Sequence, residues 1–170
     1  MLLRLAKPED ALAVAPVHVR SWQVAYRGLL PDEYLARLHA EDRAPRYDFT
    51  HGDPLKPRTI VAADGADIRG FATTMPARDK DLAGYGELCA LYVDPEDWGR
   101  GVGVALINAA RELLVEAEFR NALLWVLAGN VRAMRFYERD GWSADGDSRT
   151  DVVWGATVNE VRYRRELEAP

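Results

Sequence analysis

The sequence predicts an α/β protein, a mixed sheet with helices on both faces. Three observations carry this. Apolar runs of strand length alternate with longer segments of helical period. One nearly all-apolar run, "RNALLWVLAG", needs cover on both of its faces and is therefore a central strand. A glycine-rich turn joins a strand directly to a helix, a connection typical of layered α/β architectures. At 170 residues, one domain over 1–170 is expected, large enough to bury a core without disulfide staples.

The elements follow in order. "LLRLA" reads as a first strand, and Pro8-Glu9-Asp10 opens a helix to about Arg27 in which Leu12, Ala15, Val19 and Trp22 recur at helical spacing. Gly28 stops it. Pro31 opens a second helix in "LPDEYLARLHAEDRAPRYDF", broken at Pro45. "RTIVAADGADIRGFATTMP" reads as a hairpin turning at Asp64-Gly65-Ala66-Asp67, and "GYGELCALYVDP" as a strand ended by Asp94-Pro95. A helix over about 102–118 places Val102, Leu106, Ala109, Leu113 and Ala117 on one stripe, with Arg111, Glu112 and Glu116 toward water. After the central strand, "NVRAMRFYERDGW" is a short helix capped by Asn130 and stopped at Gly141. "WSADGDSRTDVVWGATVNEVRYRREL" supplies a last pair of strands, giving the order β-α-α-β-β-β-α-β-α-β-β.

Composition narrows the function classes. Apolar residues make up 48% and charged residues 29%, ordinary for a soluble globular protein. The net charge of −5, without any Lys/Arg-rich run, argues against nucleic acid as a partner. One cysteine, Cys89, allows no internal disulfide and suits a cytoplasmic location. No run approaches the roughly 18 apolar residues of a membrane span, and the first residues lack the pattern of a signal peptide. His18, His39 and His51 fall in no H-E-x-x-H or Cys/His cluster, so no metal is expected. No serine sits in a G-x-S-x-G elbow.

The segment "DPEDWGRGVGVAL" carries the chemistry. Gly99, Gly101 and Gly103 alternate just before a helix, so backbone N–H groups and the positive end of the helix dipole converge on one point, a general anion device. No Lys follows the glycines as a P-loop requires. The dinucleotide fingerprint fails because Val104 or Leu106 occupies its third glycine position. What remains, G-x-G-x-G-Val after "ELCALYVDP", resembles the acyl-CoA motif of the GNAT superfamily of N-acetyltransferases, with Gly101 and Gly103 on its two glycines and Trp98 where the family carries Gln or Arg. A second segment matches in order and distance. Asn130, Ala133, Tyr137, Gly141 and Trp142 fit the family's Asn-x-x-Ala-x-x-x-Tyr-x-x-x-Gly-Phe/Trp pattern.

That resemblance implies the GNAT fold, with a mostly antiparallel sheet splayed at the cosubstrate site, and an acetyl-CoA-dependent N-acetyltransferase. Its acceptor would be the primary amine of a small molecule or peptide, attacking directly through a tetrahedral intermediate. It implies cofactor contacts from Leu91, Tyr92 and Val93, from the turn Gly99, Arg100, Gly101, Val102, Gly103 and Val104, and from Asn130, Ala133 and Tyr137. Tyr137 is the candidate acid for the departing thiolate and Glu87 the candidate base. A water relay, or Asp79 or Asp81, would also serve as base. By strand parity Glu87 faces the same side as Cys89, Leu91 and Val93 unless a bulge intervenes. Cys89, with no activating His nearby in sequence, reads as structural rather than as an acyl carrier.

Each of these residues also has a plainer reading: Tyr137 as a packed helix aromatic, Asn130 as a cap alone, Glu87 as a solvated strand-end carboxylate. Trp22, Tyr26 and Tyr34 would wall the acceptor pocket, with Arg20, Gln23 and Arg27 setting its polarity, although Trp22 and Tyr26 equally fit the core. The acidic balance favours cationic acceptors. The C-terminal "DVVWGATV" strands could support a homodimer. A non-catalytic acyl-CoA-binding module, another acyl group, or an oxygen acceptor stay open.

Overall fold

The computed structural model describes residues 1–50, 53 and 55–168; His51 lies outside the described residues. Its strands are β1 (Leu2–Leu5), β2 (Arg58–Asp64), β3 (Asp67–Pro76), β4 (Gly86–Val93), β5 (Asn121–Leu127), β6 (Ser143–Val153) and β7 (Ala156–Glu166). Its helices are α1 (Ala11–Ala25), α2 (Asp32–Ala36), α3 (Ala40–Arg43), α4 (Val102–Glu116) and α5 (Val131–Arg139). All seven strands share one sheet in the order β1-β2-β3-β4-β5-β7-β6, and every neighbouring pair is antiparallel except β4 with β5. The mixed, mostly antiparallel sheet expected from the sequence is the one observed.

Helices cover both faces. On one, Leu106, Ile107, Ala110 and Leu114 of α4 pack on Ile60, Ala62, Ala72, Leu88 and Leu124, with α5 at the rim through Met134 and Phe136. On the other, Val14 and Val17 of α1 meet Val61, Ala63 and Phe71, while Val19 and Trp22 join Leu30, Leu35, Leu127 and Val158. The alternation of Ile60 and Ala62 with Val61 and Ala63 between the two clusters is the period-2 pattern of a strand buried on both sides. β5 is covered likewise, as its composition required.

Three expectations change. Leu12 is 78% exposed rather than core, because the buried face of α1 runs through Val14, Val17, His18 and Ser21, two of them polar and invisible to an apolar count. The second helix is two short ones, α2 and α3, separated at Arg37–His39. Arg111 does not simply face water: its Nε lies 3.1 Å from Asp140, tying α4 to the end of α5.

At the sheet's β1 edge, Arg4 forks onto Asp10 at 2.6 and 2.9 Å, and the Lys7 amide donates to the same carboxylate at 2.7 Å. The Arg4 guanidinium, then the Lys7 N–H, hold Asp10 below the ordinary aspartate range against the opposing effect of burial. A depressed folded pKa contributes stability above the unfolded value and loses it as pH falls through the folded one. Asp10→Asn is therefore expected to cost about 1–2 kcal/mol at pH 7. Thermal melts should show the gap from wild type closing as pH drops below about 4.

A buried arginine braces the far half. Arg162 of β7 lies 3.0 Å from Asp79, 2.8 Å from Asp81, 2.7 Å from Asp145 and 3.2 Å from Asp147, joining the β3–β4 connection to the β6–β7 hairpin. Asp79 also accepts from Trp125 Nε1 at 3.3 Å. Asp79 and Asp81, considered as alternative bases, are both paired with Arg162, Asp79 buried and Asp81 exposed.

Candidate active site

The parallel pair β4–β5 is matched only at Gly86 with Ala122 and Glu87 with Leu123. Beyond Glu87, β4 stays with β3 and β5 stays with β7, so the two central strands part. A cleft of about 1140 Å³ opens there, lined from both sides of the sheet.

β4 also carries an irregularity. Thr73 pairs with Ala90 but Thr74 with Leu88, so Cys89 is an extra residue without a partner. The bulge breaks strand parity. Leu88, Leu91 and Val93 turn to the α4 side, whereas Ala90 and Tyr92 pack on the α1 side. Gly86 abuts Leu114 and Phe119 beside α4, which puts Glu87 on the α1 side with Tyr92. The inference that Glu87 shares a face with Leu91 and Val93 is corrected by that one inserted residue.

At the α4 end, Gly99 and Gly101 have φ of 76° and 84°, a region that costs other residues about 1 kcal/mol or more. No side chain caps α4, and its first internal bond runs from the Ala105 N–H to the Gly101 carbonyl at 3.0 Å, so the amides of residues 102–104 precede the ladder. Trp98 donates its indole N–H to the Val93 carbonyl at 2.9 Å, and the Arg132 guanidinium stacks 3.4 Å from its ring centroid. The tryptophan thus pins the turn to β4 and brings a cation from α5 beside it.

On α5, Asn130 Oδ1 accepts from the Ala133 N–H at 3.3 Å, the expected cap. Tyr137 is half-buried between Phe136 and Trp142, with centroids 5.4 and 6.4 Å away, and its hydroxyl makes no hydrogen bond to another described residue. Burial, then the nearby Tyr92 phenol, push its pKa well above the ordinary tyrosine value, so it stays protonated. Burial raises the Cys89 thiol to about 12, and its S–H lies 3.4 Å from the Thr73 carbonyl, which fits a structural cysteine.

The other half of the cleft is aromatic and charged. Glu87 is buried and forked by Arg78 at 2.9 and 3.3 Å. Glu160 accepts from Arg149 at 3.0 Å, and burial lifts its pKa despite that partner. The hydroxyls of Tyr26 and Tyr92 lie 3.5 Å apart. His18, stacked on Tyr92 at 4.6 Å with Nδ1 2.6 Å from the Tyr47 hydroxyl, is driven down to about 3 by burial and is neutral. Trp154, held at a positive φ of 50° in the β6–β7 turn, presses its ring to within 5.1 Å of Trp22. Among the described residues no group of three or more His, Cys, Asp or Glu is placed to hold a metal, and no helix is long and apolar enough to cross a membrane.

The family model for the Acetyltransferase (GNAT) family matches residues 20–142, nearly three-quarters of the chain and both segments described above. The chain belongs to the GNAT family. It is 30% identical over 136 residues to the uncharacterized N-acetyltransferase YuaI of Bacillus subtilis (strain 168), covering 80% of this chain and 76% of that one. Among solved structures, a GCN5-related N-acetyltransferase from Rhodopseudomonas palustris matches with a TM-score of 0.74 at 22% identity, covering 98% of this chain and 95% of that one. The PaiA N-acetyltransferase from Thermoplasma acidophilum, in complex with coenzyme A, matches at 0.66 and 18%, covering 98% and 99%.

In this GNAT chain one cleft gathers most residues named from the sequence: Leu91, Val93, Gly99, Gly101, Gly103, Val104, Asn130, Ala133 and Tyr137 along one half, and Glu87, Tyr92, Trp22 and Tyr26 along the other, so that Tyr92, named as a cofactor contact, stands with the aromatic group instead. Arg100 and Val102 are not on its wall. Arg100 turns to Asp97 at 3.3 Å and Val102 points into the core, so each can offer only its amide. Tyr34 is also absent from the wall; its hydroxyl donates to the Trp154 carbonyl at 2.5 Å. Arg20 pairs with Asp94 and Gln23 donates to the Leu35 carbonyl at 2.9 Å, so neither sets acceptor polarity. Arg43, Arg78, Trp125, Arg149, Trp154 and Glu160 line the cleft without having been named. They come from separate segments, and no spacing pattern links them.

Proposed function

We propose that the protein is an acetyl-CoA-dependent N-acetyltransferase acting on a primary amine. The observation that carries this is the gap between β4 and β5 opening onto the uncapped, glycine-flanked amino end of α4. The donor set fits the cosubstrate. Free first-turn amides suit its pyrophosphate, unpaired backbone of β4 beyond Glu87 suits a chain that pairs like an added strand, and the volume suits an extended ligand. The N-acetyltransferase name of YuaI and the coenzyme in the Thermoplasma structure support the same reading.

Bound acetyl-CoA supplies the activated acetyl group. An alkylamine with a pKa near ~10.4 arrives protonated at neutral pH, so a carboxylate must take that proton before nitrogen can attack. Glu87 fills this role, directly or through water. As the C–N bond forms and the C–S bond breaks, the Tyr137 hydroxyl gives its proton to the departing sulfur and regains one from the attacking nitrogen, directly or through water, while β4 amides stabilise the charge on the carbonyl oxygen. The elevated pKa of Glu160 favours it as a second candidate base. A Glu160→Gln enzyme that loses the acidic limb of the rate profile, while Glu87→Gln keeps it, would select Glu160. Of the "DVVWGATV" stretch considered for a homodimer, Val153, Trp154, Ala156 and Val158 pack inward, while Val152 is 67% exposed.

The test is twofold. At a concentration of 100 times its Kd, acetyl-CoA should stabilise the fold by about 2.7 kcal/mol, a melting shift of several degrees. A broad amine panel should then release free thiol. No shift at millimolar acetyl-CoA rejects the donor site; a shift without turnover on any acceptor would indicate a binding module.

A further inference from the structure

The acceptor half of the cleft contains three guanidinium groups, those of Arg43, Arg78 and Arg149. Two have carboxylate partners. Arg78 holds Glu87 at 2.9 Å, and Arg149 lies 3.0 Å from Glu160 and 3.5 Å from Asp151. Arg43, the last residue of α3, pairs with no carboxylate among the described residues. Its Cζ sits 4.8 Å from the Trp154 ring centroid and 5.5 Å from that of Tyr47, and its Nε is buried without a hydrogen-bond partner.

Ring faces attract a cation but do not satisfy its N–H donors. The Tyr47 hydroxyl engages this half-buried guanidinium, but the buried Nε has no acceptor, and a buried donor left so is costly and open to an acceptor that the chain does not supply. An oxyanion is the natural match, because the planar guanidinium presents a fork of donors to a carboxylate. The rest of the cleft has the opposite imbalance: Glu160 and Asp151 share the one Arg149.

We propose that the acceptor is a small zwitterion, a primary amine that also carries a carboxylate, with Arg43 binding the carboxylate and the Glu160–Asp151 side receiving the ammonium group. The aromatic walls, Trp22, Tyr26 and Trp154, favour an apolar or aromatic side chain on it. This names the substrate class of the proposed N-acetyl transfer and rests on that reading. It also departs from what the net charge of −5 implies, since the charge that selects a ligand is that of the cleft and not that of the whole surface.

Isothermal titration with the twenty L-amino acids, with L-phenylalaninamide and L-leucinamide, and with phenethylamine tests binding, without and with coenzyme A. Free-thiol release from acetyl-CoA is read on the same compounds. At least one free amino acid should bind about 10- to 100-fold more tightly than its amide or decarboxylated amine. Arg43→Gln should bring the acid down to the level of its amide while leaving the amide unchanged, and Arg43→Lys should keep part of the preference. Equal affinities, an equal loss for acid and amide in Arg43→Gln, or no binding by any amino acid overturns the proposal. If Arg43→Gln fails to fold, the wild-type ratio of acid to amide still decides. Amino acid binding without thiol release would overturn N-acetyl transfer and keep this site, whereas thiol release from amines alone would do the reverse.

Discussion

A Tyr137→Phe enzyme is expected to keep its affinity for acetyl-CoA and its melting temperature while losing about 100-fold or more in turnover, roughly 2.7 kcal/mol of transition-state stabilisation. Only one oxygen is removed. The ring keeps its edge contacts with Phe136 and Trp142, and the hydroxyl has no hydrogen-bond partner among the described residues to strand. Steady-state kinetics should show kcat and kcat/KM falling together, the signature of an interaction made in the transition state. Because burial holds the phenol protonated well past the usual tyrosine range, the wild-type rate should not fall through loss of this proton at mildly alkaline pH. An unchanged rate in the variant removes Tyr137 from the mechanism.

Arg162→Met should have the largest effect on stability, a loss of about 3–5 kcal/mol. The side chains of Arg162, Asp79 and Asp145 are each under a tenth exposed, so removing the cation leaves Asp79 buried with only the Trp125 N–H, and Asp145 with only Arg164 at 3.0 Å. For a chain of this length that corresponds to a melting temperature lower by about 6–20 °C. Arg162→Lys should fall between the two, because one ammonium cannot span carboxylates approached from several sides. The cleft should suffer as well, since Trp125 on its wall is hydrogen-bonded to Asp79 and lies 5.5 Å from the Arg162 guanidinium. A variant within about 0.5 kcal/mol of wild type would show that the carboxylates find water instead.

Local sequence made the glycine-turn half of the cleft legible. The turn at Gly99 and Gly101, the cap at Asn130 and the Asn130–Ala133–Tyr137 face all depend on residues within a few positions of one another, where turn geometry and helical period govern. The bulge at Cys89 left no such mark: nothing in "GELCALYV" distinguishes seven paired residues plus one extra from eight in register, and the opposite faces of Glu87 and Leu91 follow from it. The acceptor half was the least legible. Arg43 and Trp154 meet at 4.8 Å although more than a hundred positions separate them, and their juxtaposition depends on sheet order and on a hairpin turn. Leu12 misled because an apolar count places it inside, whereas packing leaves it exposed and buries the polar Ser21, on which such a count is silent.

A sheet unzipped along a single seam leaves a gap between two layers. The cleft there is lined by Gly103 and Phe136 on one side and by Trp22 and Arg43 on the other. Under the proposed reaction, donor and acceptor can enter from opposite faces of the protein and meet edge to edge in the middle, neither barring the other's way out. Such a passage needs no covalent stopover on the enzyme: both reactants can be aboard together, and the two products can depart through separate doors.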